Sequence, residues 1–370
     1  MNATIGIVGG GQLGRMLALA GYPLGLRFRF FDPSPDATAG EVGELIYGAY
    51  DDTAMLARFV DGLDVITYEF ENVPVATART LVEHCPVYPP MMALSVAQDR
   101  LHEKTFFRRL GIPTPPFHTV DSHAELETAL KQIGLPAVLK TRRMGYDGKG
   151  QAVLNDPADV EAAWERMGTV PLILEGFMQF EREVSVIGVR STNGTITFYP
   201  LTENAHTNGI LSSSIIGTTP DPLQTVAETT ARRVLTALDY VGVLAIEFFQ
   251  VGGKLFANEM APRVHNSGHW TIEGAETSQF ANHLRAILGL PLGSTAPRGA
   301  AAMLNLIGSV PDVARVLAVP GAALHWYNKA PRPGRKLGHI TLCTRDDQTL
   351  SDRLEHLRAI CLRLMRYLPY

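Results

Sequence analysis

Hydrophobic and polar positions in the first hundred residues alternate between short apolar runs and amphipathic helical patterns. The predicted strands are "TIGIVG" (4–9), "LRFRFFD" (26–32) and "DVITYEF" (64–70). The predicted helices lie in "GRMLALAGYPLG" (14–25) and "DTAMLARFVDGL" (52–63). Strands separated by helical patterns of this length form parallel βαβ units. The pattern therefore predicts an α/β domain with a parallel sheet at the start of the chain.

The pattern changes after about residue 95. A segment bounded by prolines, 88–116, predicts one long helix and a domain boundary. A smaller unit follows at 115–180, with a helix at 122–134, strands "PAVLK" and "PLILEGF", and a glycine-rich loop. Strands then dominate, with further helices at 222–240 and 278–289 and the linker "LGSTAPRGAA" before the last segment.

Composition narrows the class of protein. The chain has 370 residues, of which 46% are apolar and 19% are charged, so it predicts a globular protein of two or three domains. The net charge of −4 gives no basic field, and we expect no nucleic-acid partner. Neither a basic leader nor an apolar run of 18 residues is present, so we expect no signal peptide and no membrane span. Cys85, Cys343 and Cys361 lie far apart, which favours a reducing cytoplasm.

The stretch "IGIVGGGQLGRML" (5–17) carries a phosphate-binding signature. Gly9, Gly11 and Gly14 have the dinucleotide spacing, and Asp32 follows at about the distance expected for a ribose-binding carboxylate. Many other phosphate sites use the same strand, glycine turn and helix N-terminus. The motif therefore leaves two interpretations open, a nicotinamide site and a site for another phosphate.

A second glycine-rich stretch, "AVLKTRRMGYDGKGQ" (137–151), follows a short apolar strand. That strand ends at Lys140, which supplies a positive charge for a phosphate oxygen. The glycines let the backbone approach a phosphate closely and leave the loop mobile. An exposed hairpin turn with ordinary surface charges explains the local spacing equally well.

Two apolar runs flank Gly252 and Gly253 in "LAIEFFQVGGKLFANEMAPR" (244–263), which predicts a β-hairpin. Folding at this turn brings Glu247 opposite either Asn258 or Glu259, depending on the register. Two carboxylates at that distance repel unless a cation lies between them, and oxygen ligands of this kind suit Mg²⁺. Solvent-facing glutamates are the alternative, but the apolar surroundings of both residues favour the metal.

Three further segments carry polar groups without a unique interpretation. In "ILEGFMQFEREVSV" (173–186), the backbone offers hydrogen bonds for an adenine, although an exposed loop explains the segment better on its own. "APRVHNSGHWTIEG" (261–274) suits substrate binding and helix capping equally, and Gly268 between His265 and His269 argues against zinc. "NKAPRPGRK" (328–336) suits a phosphate clamp or a solvated basic loop.

Together these segments resemble the ATP-grasp enzymes, and closely one family among them, the N5-carboxyaminoimidazole ribonucleotide synthetases. The resemblance rests on "GGGQLGRML", "DPSPDATA", "TYEFENV", "QDRLHEKTFF", "LKTRRMGYDGKGQ", "NEMAPRVHNSGHWT" and "HWYNKAPRPGRKLGH". It covers residues 5 to about 340, and the last thirty residues carry no motif of this family. It implies an α/β (α+β) ATP-grasp fold. The implied division is a Rossmann-like domain at 1–95, an ATP-grasp domain at 96–295 with a small mobile lid at 115–180, and a C-terminal sheet domain at 296–370 that completes the substrate site.

The resemblance also implies an activity. Such enzymes carboxylate 5-aminoimidazole ribonucleotide with bicarbonate in purine biosynthesis, using ATP and Mg²⁺ (or Mn²⁺) and passing through carboxyphosphate. We expect small-molecule substrates, a cytoplasmic homodimer, and neither nucleic-acid nor membrane partners. Alternatives are a formate-dependent glycinamide ribonucleotide transformylase, an NAD-dependent dehydrogenase, and a catalytically silent nucleotide-binding subunit.

The resemblance assigns roles to individual positions. ATP would be bound by Arg100, Lys140, Gly145, Tyr146, Asp147, Gly148, Lys149, Gly150, Gln151, Glu175, Gly176, Phe177, Met178, Glu183, His206, Asn258 and Glu259. The ribonucleotide would be bound by Gln12, Leu13, Arg263, His265, Asn266, Ser267, Lys329, Arg335 and Lys336. Glu247 and Glu259 would hold the metal. Asp147 would be the general base, with Tyr146 and Glu69 as further catalytic residues. Whether Glu69 or Glu71 faces the substrate stays open, since alternation along a strand puts both on one side.

Overall fold

A four-stranded parallel sheet forms the N-terminal part of the computed structural model, which describes residues 2–145 and 148–362. Its strands lie in the order β3-β2-β1-β4, and β1 is buried between its neighbours. The elements are β1 (Thr4–Val8), α1 (Gln12–Gly21), β2 (Arg27–Asp32), β3 (Glu44–Tyr47), α2 (Thr53–Val60), β4 (Val65–Tyr68), α3 (Val75–Val82), α4 (Met91–Ala97) and α5 (Arg100–Arg109). The predicted parallel βαβ arrangement is confirmed.

The prediction of one long helix in 88–116 is wrong, because the chain breaks between α4 and α5. Asp99 adopts an extended conformation there, and its carboxylate accepts a hydrogen bond from the Leu101 amide at 3.0 Å. An aspartate that caps a new helix in this way satisfies an amide that would otherwise lack a partner. The same carboxylate pairs with Arg142 and Arg143, which lie within the lid at 115–180, and this ties the start of α5 to that unit.

A second, antiparallel sheet of four strands forms the smaller unit, in the order β5-β8-β6-β7. Its elements are β5 (Phe117–Val120), α6 (His123–Ile133), β6 (Ala137–Thr141), β7 (Gln151–Leu154), α7 (Pro157–Met167) and β8 (Leu172–Gly176). Both helices pack on this sheet around a separate apolar core that includes Leu126, Leu139 and Leu174. The glycine-rich loop connects β6 to β7 and so leaves from one end of this sheet.

A nine-stranded sheet contains most of the remaining chain. Its elements are β9 (Arg182–Arg190), β10 (Ile196–Phe198), β11 (Thr202–Thr207), β12 (Ile210–Ile216), α8 (Gln224–Ala237), β13 (Gly242–Val251), β14 (Lys254–Ala261), α9 (Thr271–Gly274), α10 (Gln279–Ile287), β15 (Ala300–Ile307), α11 (Val313–Leu317), β16 (Ala322–Trp326), β17 (Lys336–Thr344) and α12 (Asp347–Leu362). The main order is β14-β13-β9-β11-β12-β15-β17-β16, with β10 paired to β9.

The last segment continues this sheet, since β15 pairs with β12. The predicted boundary at 296 therefore falls between strands that lie in one sheet. Leu350, Leu354 and Leu357 of α12 are buried against β15 and β17, which gives the region without a recognised motif a packing role. Among the helices of the described ranges, none is long and apolar enough to cross a membrane.

Candidate active site

A cavity of about 1040 Å³ collects side chains from all parts of the chain. Residues predicted from separate motifs lie on its surface: Gln12, Leu13, Glu69, Arg100, Gly145, Lys149, His206, Glu247, Glu259, Arg263, His265, Asn266, Lys329, Arg335 and Lys336. The fold thus brings both the N-terminal glycine motif and the C-terminal basic segment to the β13–β14 hairpin. Tyr146 and Asp147 lie outside the described residues.

The N-terminus of α1 already holds a carboxylate. Glu69 accepts hydrogen bonds from the amides of Gly11 at 2.7 Å and Gly14 at 3.0 Å. Burial raises the pKa of Glu69, and these two amides act in the opposite direction. Asp32 accepts the Gly10 amide at 2.6 Å, so it ends β2 and fixes the glycine turn. The amides that a dinucleotide phosphate would use are occupied, which argues against the nicotinamide interpretation.

Glu69 and Glu71 both face the cavity, but strand alternation is not the reason. The predicted strand through residue 70 is too long, because β4 ends at Tyr68 and both glutamates follow it. Glu71 is bonded to the Arg263 guanidinium, whereas Glu69 caps the glycine turn. Glu71 therefore positions Arg263 and Glu69 positions the glycine turn, on two different sides of the same cavity.

The predicted hairpin is confirmed, and its register places Glu247 directly opposite Glu259. Its turn contains Gly252 and Gly253, both with positive φ, and a bulge on the second strand leaves Asn258 without a partner in the register. Burial and the neighbouring carboxylate of Glu259 raise the pKa of Glu247. Glu259 lies 2.9 Å from Arg100, and this guanidinium outweighs the effect of burial and lowers the pKa of Glu259.

The donor set at this hairpin fits Mg²⁺ bound together with phosphates. Within residues 2–145 and 148–362, no group of three or more His, Cys, Asp or Glu side chains could surround a metal. Mg²⁺ is usually held by one or two carboxylates, with waters and substrate phosphates completing its shell. Asn258 Oδ1, beside Glu259, is buried and accepts no hydrogen bond from the part of the chain described. Two carboxylates and this oxygen therefore suit Mg²⁺ better than zinc.

Lys140 points to a buried carboxylate in this structure. Its ammonium lies 2.9 Å from Glu175 Oε2, and Lys104 of α5 lies 3.3 Å from the same oxygen. Burial raises the pKa of Glu175, but the two lysines outweigh it and leave the pKa at about 2. Lys104 and the adjacent Glu103 are missing from the sequence prediction. Their only signal is a pair of charges in the helix "RLHEKTFF" that is otherwise apolar on its buried side.

The segment predicted to bind adenine has two of its amides in use. The Gly176 and Phe177 N–H groups donate to Pro116 O at 2.9 Å and Pro136 O at 3.3 Å. Glu183, predicted to bind the ribose, is bonded to the His206 ring. Burial opposes protonation of His206, but Glu183 outweighs it and raises the pKa of the imidazole.

The segment after β14 divides between the cavity and the interior. His265 lies on the cavity with Nε2 3.6 Å from Glu247, and burial and Arg263 lower its pKa to about 3, so the ring is neutral. Asn266 exchanges amide hydrogen bonds with Asn305 of β15. Ser267 is fully buried behind His265 and bonds to Ser185 at 2.8 Å. The structure thus places Ser267 behind the cavity surface, where it supports His265.

Lys329 and Gln12 meet across the cavity, although 317 residues separate them in the chain. The Lys329 ammonium donates to the Gln12 side-chain oxygen. Burial lowers the pKa of Lys329, and Glu69 opposes this shift. Arg335 and Lys336 extend the same basic surface. In the lid loop, Gly148 and Gly150 have positive φ, as expected for glycines that turn the backbone towards a ligand.

Comparisons with known proteins agree along the whole chain. Models of three families match: the ribonucleotide synthetase preATP-grasp domain at residues 1–98, the ATP-grasp domain at 105–280, and the phosphoribosylaminoimidazole carboxylase C-terminal domain at 301–353. The N5-carboxyaminoimidazole ribonucleotide synthase of Pseudomonas aeruginosa is 57% identical over 96% of this chain and 99% of its own length.

Solved structures give the same result. The N5-carboxyaminoimidazole ribonucleotide synthetase of Thermus thermophilus superposes with a TM-score of 0.92 at 60% identity, covering 99% of both chains. The N5-carboxyaminoimidazole synthase of Aspergillus clavatus, in complex with ADP and 5-aminoimidazole ribonucleotide, has a TM-score of 0.91 at 30% identity and covers 98% of this chain and 99% of its own. The predicted ATP-grasp fold is confirmed.

Proposed function

We propose how this chain, which belongs to the N5-carboxyaminoimidazole ribonucleotide synthase family, uses its cavity. It is an ATP-grasp ligase of purine biosynthesis that uses ATP to carboxylate 5-aminoimidazole ribonucleotide. The opposition of Glu247 and Glu259 carries the proposal, because two opposed carboxylates would bind a cation on a cavity that also holds Gln12 and Lys329. ATP lies on the hairpin side and the ribonucleotide on the side of α1.

The chemistry needs an activated carboxyl group. ATP phosphorylates bicarbonate to carboxyphosphate, which breaks down to phosphate and carbon dioxide in a cavity shielded from water. The exocyclic amine of the aminoimidazole then attacks the carbon and forms a carbamate. Glu247 and Glu259 would hold Mg²⁺, which would compensate the charge of the ATP phosphates. Lys140 and Arg100 contribute positive charge at the same phosphates; Lys140 is buried and Arg100 lies on the cavity.

Residues on the α1 side hold the second substrate. Lys329 and Arg335 bind its phosphate, while Gln12 and Glu69 contact the ring or ribose. Arg263 and neutral His265 line the same cavity, and we assign them to the bicarbonate oxygens. Asp147 takes the amine proton, because its loop leaves β6 next to the ATP site and delivers the base together with the nucleotide.

Phosphate release tests the reaction. Incubation with 5-aminoimidazole ribonucleotide, ATP and bicarbonate releases phosphate only when all three are present. Release that depends instead on glycinamide ribonucleotide and formate would favour the transformylase, and tight binding of NADH in a fluorescence titration would revive the dehydrogenase. Equal phosphate release with and without the imidazole substrate contradicts the proposal.

The variant Asp147→Asn tests whether Asp147 acts as the general base or binds ATP. We expect ADP affinity within about twofold of the natural protein, and carboxylation reduced by about 100-fold or more, as for loss of a general base. Equal loss of nucleotide affinity would place Asp147 in the ATP site.

We further propose a cytoplasmic homodimer, supported by family membership and by the small, polar substrates. Analytical ultracentrifugation of the full chain checks the dimer, and fractionation of the source cell checks the compartment.

A further inference from the structure

Lys104 is a buried cation to which the family resemblance gives no role. It lies on α5 one helical turn after Arg100, and its side chain is completely buried. Removing an ammonium from water costs several kcal/mol unless charges and hydrogen bonds compensate it. Its partners are Glu175 Oε2 at 3.3 Å and the backbone oxygen of Asn258 at 2.7 Å. One side chain thus links the carboxylate behind the phosphate site to the strand that carries the metal ligand.

The same helix holds the whole end of β14. Arg100 pairs with Glu259 at 2.9 Å, and Glu103 accepts the Met260 amide at 2.7 Å. Together with the bond from Lys104 to Asn258, three consecutive residues of β14 are therefore held by one face of α5. This geometry explains a structural role for α5, but it does not explain why the Asn258 contact is made by a charged group.

Glu175 supplies that explanation. Its Oε2 receives two ammonium groups, from Lys140 and Lys104, while Oε1 is buried without a hydrogen-bond donor among the described residues. Lys140 is the lysine expected to contact the ATP phosphates, and it is 8% exposed against 0% for Lys104. When Lys140 turns towards a phosphate, Glu175 would lose its nearer partner. A buried carboxylate with no partner is strongly destabilised.

We propose that Lys104 is a positioning residue that keeps Glu175 compensated, so that Lys140 is free to bind the nucleotide phosphates. This inference rests on the proposed function only in taking Lys140 as a phosphate ligand. Without Lys104, Glu175 retains Lys140 as its one charged partner. The carboxylate and the nucleotide then compete for the same ammonium group.

Substitutions at positions 104 and 175 test the proposal through binding of ADP, measured by calorimetry on the full chain. Lys104→Met weakens ADP about ten- to hundredfold, the range for a hydrogen bond to a charged group. Lys104→Gln keeps a donor for Asn258 but removes the charge, and it weakens ADP similarly. The affinity for 5-aminoimidazole ribonucleotide stays within about twofold. Lys131→Met removes an exposed lysine of α6 and serves as the matched control.

The double variant Lys104→Met/Glu175→Gln decides between competition and simple structural damage. Removing the carboxylate frees Lys140 again, so ADP affinity returns to within a few fold of the natural protein. A purely structural role predicts a double variant at least as weak as Lys104→Met. The proposal is wrong if folded Lys104→Gln binds ADP normally, or if the double variant shows no recovery. If the unmodified protein showed no turnover, the proposed function would be wrong. The test of Lys104 would still be valid, because ADP binding is measured without turnover.

Should Lys104→Met fail to fold, Lys104→Gln and its double variant with Glu175→Gln decide the question, because glutamine offers an N–H donor for Asn258 in both. Folding is checked by circular dichroism and the thermal midpoint of each variant. Glu175→Gln keeps the backbone through which this segment is expected to contact the adenine, and it leaves Lys140 without a competing charge. We therefore expect its ADP affinity to equal or exceed that of the natural protein. A large loss in that variant contradicts the competition between Glu175 and the phosphates.

Discussion

Glu69 Oε1 accepts the backbone amide of Gly11 at 2.7 Å, so a carboxylate sits at the helix N-terminus where the sequence motif predicts a phosphate. This contact distinguishes the chain from dinucleotide-binding enzymes that have the same glycine spacing. A dinucleotide enzyme leaves those amides open for pyrophosphate, whereas this chain uses them to position an acidic side chain on the cavity. The glycine spacing by itself therefore does not identify the ligand that the cavity binds.

Glu69→Gln weakens the N-terminal domain. Glutamine offers one acceptor oxygen in place of two and loses the charge that interacts with the dipole of α1, so we expect about 1–2 kcal/mol less stability in urea unfolding. Glu83→Gln, at an exposed position after α3, is the control and should change stability by less than about 0.5 kcal/mol. Equal stability of Glu69→Gln and the natural protein would contradict the capping role.

Gly9→Ala and Gly62→Ala form a matched pair, because both positions have positive φ. A Cβ at Gly9 would lie 2.3 Å from Glu69 Cγ, whereas nothing lies within 4 Å of a Cβ at Gly62. We expect Gly62→Ala to cost about 1–2 kcal/mol for its backbone conformation alone. Gly9→Ala should cost about 1–3 kcal/mol more from crowding. Urea unfolding measures both, and equal losses would show that the glycine turn tolerates displacement of Glu69.

Glu259→Gln removes one of the two opposed carboxylates and leaves Arg100 without its partner. We expect ATP turnover at saturating substrates to fall by about 100-fold or more, which corresponds to about 2.7 kcal/mol of activation free energy. Phosphate release measures the loss. Glu44→Gln removes an exposed partner of Arg29 in the N-terminal sheet and should leave turnover unchanged. Retention of turnover by Glu259→Gln would mean that the hairpin does not hold the metal.

The buried ring of His283 makes the stability of the folded protein depend on pH. Its ring is fully buried, accepting the Val243 amide at Nδ1 and donating from Nε2 to Thr67, which joins β13 to β4. Burial lowers its pKa to about 3, whereas the unfolded chain protonates near 6.5. Below pH 6.5 the unfolded state binds a proton that the folded state does not. Stability therefore falls as pH decreases, by about 1.4 kcal/mol per pH unit for this group.

His283→Asn keeps a side-chain acceptor for Val243 and removes the titration. Urea unfolding between pH 6 and 5 should show a slope smaller by about one proton than that of the natural protein. His84→Asn, at an exposed position, should leave the slope unchanged. An unchanged slope in His283→Asn would mean that the buried ring is not the titrating group.

Local patterns in the sequence determine most of the elements and several site positions. The βαβ periodicity, the glycine turn at 252–253 and the strand that carries Lys140 each depend on neighbouring residues, and each is present in the structure, where that strand ends at Thr141. Arg100 and the hairpin glutamates Glu247 and Glu259 come from two different segments and do lie on one cavity. Their individual roles remain predictions, and those of Tyr146 and Asp147 fall outside the described residues.

The tertiary structure alone decides which polar groups pair. The register of β13 and β14 selects Glu259 over Asn258 as the partner of Glu247, and Asp99, at the break between α4 and α5, pairs with Arg142 of the lid. Lys329 reaches Gln12 only because the C-terminal strands join the large sheet. Such pairings depend on the compensation of buried charges across distant segments. Short-range periodicity indicates which face of an element is buried, but it does not indicate which side chain of a distant segment pairs with that face.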